Sequence, residues 1–328
     1  MINIEKGISI ILYDWLNVKK DELVHFVTDE NHLREAEAIT RWANGADAIL
    51  KTTILPSHLV QKGEVIEKMV DIFSNENVII GATDYSFITT NAVRTAVNKG
   101  ARFLSLPLSC KDGSSLLEND FIQMNCRDAQ KNARKLIRKL TNKEKIHVTT
   151  KLGTDLTFSI KGRIPGSFVG KADKPGIISS ASFETYVAPV EDSMNGVLYL
   201  DTAIGYVGTL DKPIRITVKD GLFTSIESED DGAQKLIDYL ESFHDRTMYR
   251  PGEFGIGLNK ISKCRGICYI EDESVYSTFH LGMGRNIALG GVQNAAGHFD
   301  IVTGFPDIYA DGEAVMINGE IVGGRFGL

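Results

Sequence analysis

The spacing of apolar residues changes character once along this chain. Up to about Lys145, short apolar runs alternate with segments of helical period. Glu35 to Asn44 reads as a helix, and Ala48 to Leu50 as the start of a short strand. In Gly63 to Ser74, apolar residues at Val65, Ile66, Met69, Val70 and Phe73 follow a 3.6-residue period. Asn77 to Ala82 is a short buried strand, Thr89 to Lys99 a helix closed by Gly100, and Ala101 to Leu106 the next strand. Cys126 to Leu140 is the last helix of this half. Strand–helix–strand in this rhythm predicts parallel pairing with right-handed crossovers.

From His147 the period becomes two. HVTTKLGTDLTFSIKGR alternates polar and apolar, as a half-buried strand pair does. GVLYLDTAIGYVGTLDKPIRITVKDGLFTSIES reads as strand after strand, with turns at Asp211-Lys212-Pro213 and Asp220-Gly221. One helix, Gly232 to Phe243, interrupts, and Asn318-Gly319 marks a hairpin near the C-terminus. The expected fold is an α/β N-terminal domain with a mostly parallel sheet, residues 1–145, then a β-rich α+β domain, residues 146–328.

Composition narrows the function classes. A net charge of −7 disfavours a general nucleic-acid binder. The one basic run, Lys131 to Lys145, carries a helical apolar stripe at Ala133, Leu136, Ile137 and Leu140 and reads as a solvated helix face. The apolar run Ile8 to Leu12 is too short for a signal peptide, and no segment approaches the ~20 apolar residues of a membrane span. The expectation is a cytoplasmic protein whose four cysteines are structural thiols. No GxGxxG follows a strand in the first half and no GxxxxGK[ST] occurs, which argues against nucleotide binding.

The candidate chemistry lies in STFHLGMGRNIALGGVQNAAGHFDIVTG. It places His280, His298 and Asp300 among glycines. Residues two apart on a strand share a face, so His298 and Asp300 can point at one ion. Two imidazoles and a carboxylate suit zinc hydrolysis or a non-haem ferrous site. Glu184 and Glu253 sit in otherwise apolar or small-residue runs, where a buried carboxylate needs a cation or a donor. Glu191 and Asp192, in EDSMNG, read as exposed turn residues.

The set GTDLTFSIKGR, FETYVAP, PGEFGIGLN, FHLGMGRN and GHFDIVTG, in that order, resembles the aminopeptidase T / aminopeptidase S family of metallopeptidases. The resemblance implies a homodimer with a co-catalytic pair of divalent ions, zinc, cobalt or manganese. Carried across, the ligands are Glu184, Glu253, His280, His298 and Asp300. It implies an aminopeptidase acting on short peptides through metal-activated water. Glu184 is then a general base if it does not ligate, and Arg285 a stabiliser of an oxyanion or carboxylate. Two departures stand out. The family's tyrosine ligand, seven residues after the first histidine, is Ile287 here, and the gap between the histidines is short. The same superfamily holds an iron-dependent ring-cleaving enzyme, 2,5-dihydroxypyridine dioxygenase. Its single Fe(II) would fall on His280, His298 and Asp300. A third alternative is a non-catalytic relic of the fold that binds no metal.

Overall fold

Near-continuous apolar runs make the central strands of the first sheet, as they must where both faces are covered. The computed structural model describes residues 1–46, 48–59, 65–66, 72–73, 75–88 and 90–323. Val78–Ala82 and Arg102–Ser105 are buried at every position, and Leu23–Asp29 at every position but its first. Together with Ile49–Leu55 and Ile178–Ser180 they form one sheet in the order Ile49–Leu55, Leu23–Asp29, Val78–Ala82, Arg102–Ser105, Ile178–Ser180. Every pair is parallel, as the alternating pattern requires.

Leu23–Asp29 and Ile178–Ser180 were not expected from the hydrophobic pattern, and Ile49–Leu55 was expected only at its start. Ile49–Leu55 extends well beyond Leu50. It is an edge strand whose middle, Lys51 to Thr53, is largely solvated and so looks like a loop. Ile178–Ser180 pairs with Phe103–Ser105 from far along the sequence. The helix of residues 91–98 forms as expected, with the Thr90 side chain accepting from the Val93 amide and Gly100 at φ +105°. The helix expected over Gly63 to Ser74 lies largely outside the described residues.

The chain divides into two compact units. One comprises Met1–Cys126 and Phe168–Ser182, the other Arg127–Ser167 and Phe183–Leu328. The boundary expected at 145 therefore differs from these crossings. Most of the helix Cys126–Leu140 falls in the second unit, and the chain returns to the first for its fifth strand.

The second unit is antiparallel and β-rich, as the alternation implies. An eight-stranded sheet runs in the order Leu222–Ser228, Ile214–Lys219, Asn195–Leu200, Asp155–Ser159, Lys145–Thr149, Asp307–Ala310, Glu313–Ile317, Glu320–Ile321. Asp220-Gly221 and Asn318-Gly319 turn its hairpins with positive φ at both residues, the geometry of tight two-residue turns. The other sheet is built around four strands in the order His298–Gly304, Thr278–Gly284, Pro251–Gly257, Phe183–Val187. Phe254 meets Phe158 of the eight-stranded sheet edge-on at 5.1 Å between ring centres. Among the described residues the four cysteines are free thiols, and no helix is long and apolar enough to cross a membrane.

In the first unit, Asp29 ends one central strand and Asp84 follows its neighbour. The Asp29 carboxylate accepts from the backbone amides of Asn31 (2.9 Å) and Asp84 (2.7 Å). His32 Nε2 lies 2.7 Å from Asp84. Burial lowers the His32 pKa, but the Asp84 hydrogen bond and the surrounding carboxylates override it and hold it above 6.5. A group whose folded pKa is raised contributes stability that is fully present below the unfolded value and is lost as pH rises through the folded one. The melting-temperature gap between the protein and His32→Gln is therefore expected to be larger at pH 5.5 than at pH 9.5. A gap that does not change with pH would remove the charged pair from the account.

Candidate metal centre

Strand register gathers the sequence-predicted ligands on one sheet face. Gly257 pairs with Glu184, Gly255 with His280, Glu253 with Gly282, and Gly282 in turn with Asp300, while Gly284 pairs with His298. Because side chains alternate, Glu184, Glu253, His280, His298 and Asp300 all project from the same side. The other side carries Phe254, Ile256, Phe279, Leu281, Met283, Phe299 and Ile301, all buried and apolar. Each functional side chain lies opposite a glycine on a neighbouring strand. A Cβ at Gly255 would overlap the His280 imidazole. One at Gly282 would lie 2.6 Å from His298 and 2.8 Å from Glu253. The glycines of PGEFGIG and FHLGMG are thus the room the ligands occupy.

Two groups of potential ligand atoms result. Glu184, Glu253 and His280 form one; Glu253, His298 and Asp300 form the other; within each the atoms lie within 4.8 Å of one another. Glu253 is common to both. His280 Nε2 is 2.7 Å from Glu184, and His298 Nε2 is 3.2 Å from Glu253 and 3.6 Å from Asp300. The His280, His298 and Asp300 triad is therefore brought to one face but divided between two groups. Ile287 is 48 % exposed in a short helical turn, and its apolar side chain offers no ligand atom.

The electrostatics are those of acids and imidazoles crowded together away from water. Burial pushes Glu253 up to about 7, with the Glu184 charge adding to it. Burial alone would lower His280, but Glu184 raises it to about 9. His298 is raised well above the ordinary histidine range by the neighbouring carboxylates against the effect of burial. Asp300 is held far below the carboxylate range by His298, although burial acts the other way. His280 Nδ1, Glu253 Oε1 and Asp300 Oδ1 are buried without a hydrogen-bond partner. Such atoms are costly unless something binds them. Imidazole nitrogens and carboxylate oxygens are donors that Fe(II) and other divalent ions accept, so the residues fit a metal.

Arg285 acts here through its backbone. Its carbonyl accepts from His298 Nδ1 at 2.8 Å, which leaves Nε2 directed at the carboxylates. Its guanidinium donates to the Ala295 carbonyl at 3.0 Å. Glu191 is not the exposed turn residue the sequence suggests. It pairs with Arg163 at 2.5 Å and accepts from Val292 N at 2.8 Å and from Asn286, fixing the loop that leads to His298. Asp192 is exposed as expected. Sequence reasoning missed Glu273, a carboxylate 5 % exposed within hydrogen-bonding reach of Asp300. The signal was present as three acids in a row, Glu271 to Glu273, between Ile270 and Val275. A third group, Asp29, His32 and Asp84, lies in the other unit, where Asp29 already accepts the backbone amides described above.

Gly255→Ala is expected to displace His280, destabilise the fold by about 1–3 kcal/mol and weaken metal binding by about tenfold or more. Chemical denaturation and elemental analysis of the purified variant would read both. Unchanged metal content would show that the glycine is not there to seat the imidazole.

Over 99 % of both chains, the structure is similar to that of 2,5-dihydroxypyridine dioxygenase from Pseudomonas putida KT2440, with a TM-score of 0.79 at 19 % identity. It is similar to AmpT from Thermus thermophilus over 97 % of this chain and 98 % of that one, with a TM-score of 0.64 at 14 % identity. These likenesses show a shared fold. In sequence the chain is 28 % identical over 191 residues to 2,5-dihydroxypyridine 5,6-dioxygenase of Pseudomonas putida KT2440. That match spans 54 % of each protein, so the chain covers about half the length of this curated relative. A family model described as NicX, 2,5-dihydroxypyridine 5,6-dioxygenase, matches residues 17–323. These matches overturn the expected metallo-aminopeptidase, and with it the hydrolase and protease assignment. The ligand types alone had not separated the two chemistries. The chain belongs to the NicX family of 2,5-dihydroxypyridine 5,6-dioxygenases.

Proposed function

We propose that this protein is a mononuclear non-haem iron dioxygenase that opens a small hydroxylated nitrogen-containing aromatic ring of the 2,5-dihydroxypyridine kind. The observation that carries the reading is the buried face of imidazoles and carboxylates in a chain of the NicX family. His280, His298 and Asp300 would hold Fe(II), the two-histidine, one-carboxylate set of ferrous oxygenases. Fe(II) held there would supply dioxygen activation beside the hydroxylated ring. The absence of a ligand at Ile287 favours one ion over two.

The remaining residues have roles that follow from their environment. Arg285 O fixes the tautomer of His298 through Nδ1, leaving Nε2 for the metal. Glu253, buried beside these ligands, would be the group to take a proton from a ring hydroxyl. Glu184 orients His280 through their 2.7 Å contact. The apolar side of the sheet keeps its strands in register, so the donors stay aligned.

The test is iron content and oxygen uptake with 2,5-dihydroxypyridine after anaerobic purification. About one iron per chain is expected, with one dioxygen consumed per ring opened. His298→Ala should lose both. Glu253→Ala should keep the iron and lose about 10²–10⁴-fold in rate, the range for removing a general base. Two zinc, cobalt or manganese ions per chain with no oxygen uptake would overturn the reading, as would a protein that binds no iron on anaerobic reconstitution.

A further inference from the structure

The sheet of the first unit carries a reversal in its strand order. Counted along the chain, Leu23–Asp29 is its first strand, Ile49–Leu55 its second and Val78–Ala82 its third, and the sheet runs 2-1-3-4-5. The second and third strands therefore flank the first on opposite sides. At such a reversal the connections diverge and leave a crevice at the carboxyl ends of two neighbouring strands, which is where open α/β sheets bind their ligands. Here the neighbours are the first and third strands, which end nearly level, with Thr28 beside Ala82.

Four titratable side chains gather at that crevice, and three are carboxylates. Asp29 is the last residue of the first strand and is fully buried. Asp84 stands two residues beyond the third strand. His32 and Glu35 follow the first strand, Glu35 in the first turn of the helix Leu33–Gly45. Ligand atoms of Asp29, His32 and Asp84 lie within 4.8 Å of one another. The amides of Asn31 and Asp84 orient the Asp29 carboxylate, and each of its oxygens keeps a further lone pair. The Asn31 side-chain amide holds Asp84 at 2.6 Å, and the Asp84 side chain is 20 % exposed, which leaves a way in from solvent.

Glu35 is a separate sign of a missing cation. Its side chain is 7 % exposed and faces His32 Nδ1 at 3.9 Å, beyond hydrogen-bond distance. No hydrogen bond reaches its carboxylate among the described residues. A buried carboxylate in that condition is costly. Among the described residues the ion pairs of Glu35 and Asp84 are with His32 alone, and Asp29 has none. Three acids thus share one imidazole. A phosphate or other anion would be repelled here, so the crevice selects a cation.

We propose that this crevice is a second divalent-cation site, bound through Asp29, His32 and Asp84, with Glu35 as the outer partner that orients His32. Two carboxylates and an imidazole are donors that suit Mn(II) or Zn(II). The ion takes the place of the 2.7 Å contact between His32 Nε2 and Asp84. Glu35 then accepts from His32 Nδ1, as carboxylates commonly do from the second ring nitrogen of a ligating histidine. The inference concerns residues of the first unit only and does not depend on the iron reading.

The experiment titrates Mn(II) into metal-free His298→Ala, in which the candidate metal centre is disabled, with electron paramagnetic resonance of the unbound ion as the readout. His298→Gln replaces it should the alanine prevent folding. At about pH 8, where the imidazole can give up its proton, about one Mn(II) per chain is expected to bind. Its addition should raise the melting temperature, because the ion binds only the folded chain. Glu35→Met in the same background should weaken binding about 10–100-fold, the cost of losing an outer partner. Asp84→Asn, which removes a ligand, should weaken it at least as much. Glu35 makes no hydrogen bond, so its replacement keeps the test available should Asp84→Asn not fold. A background variant that binds no Mn(II) would overturn the proposal. So would binding left unmoved by Glu35→Met or by a folded Asp84→Asn.

Discussion

The second unit depends on a concentration of negative charge inside a β-sheet layer. Glu184, Glu253, Glu273 and Asp300 are each at most 6 % exposed and share one neighbourhood. Two unit charges about 4 Å apart at an effective dielectric of 20 interact by roughly 4 kcal/mol, so several buried like charges cannot be left uncompensated. The ion pairs of Glu253 and Asp300 are with His298, and one of Glu184 is with His280. Imidazoles compensate only while protonated. A divalent cation does so at any pH where the ligands are free, and it also uses the buried lone pairs.

The sheet separates this charge from the core without extra structure. Antiparallel pairing alternates the two faces, so one strand supplies a ligand and a core phenylalanine from adjacent positions: Glu253 with Phe254, Phe279 with His280, and His298 with Phe299. The aromatic side fixes register, and a slip of one residue would exchange the faces. Glycines opposite the ligands then admit imidazole and carboxylate where any Cβ would intrude. The loop to His298 is held from beneath. Asn286 Oδ1 accepts from Gln293 N at 2.7 Å, and Gln293 donates to the Arg250 carbonyl at 3.1 Å. That network sets the Arg285 carbonyl against His298 Nδ1.

The hydrolase expectation failed for a reason the geometry makes plain. A ferrous oxygenase and a two-metal peptidase draw on the same imidazoles and carboxylates, placed by the same register. Ligand identity therefore reports the superfamily rather than the reaction. What separated the two readings was the match of residues 17–323 to the NicX family model, not the set of ligand types.

The sequence by itself determined whatever depends on local period and local stereochemistry. Strand–helix alternation specified the parallel sheet, and alternation after His147 specified the antiparallel layers. Asp220-Gly221 and Asn318-Gly319 specified their turns because few residues adopt positive φ cheaply. His298 and Asp300 were legible as a pair because they are two apart on a strand. Only the tertiary structure decided the rest. Ile178–Ser180 joins the first sheet through a pairing no local pattern encodes. Glu253 is shared between two ligand groups because Gly282 stands between it and Asp300, two strands away. Glu273 was not singled out in the sequence, and its neighbour Asp272 accepts the backbone amides of Arg265 and Gly266. What sets Glu273 apart from Glu271 and Asp272 is a buried oxygen, Oε2, with no hydrogen-bond partner. Burial and non-local contact control the charge of a carboxyl group, and a linear sequence carries neither.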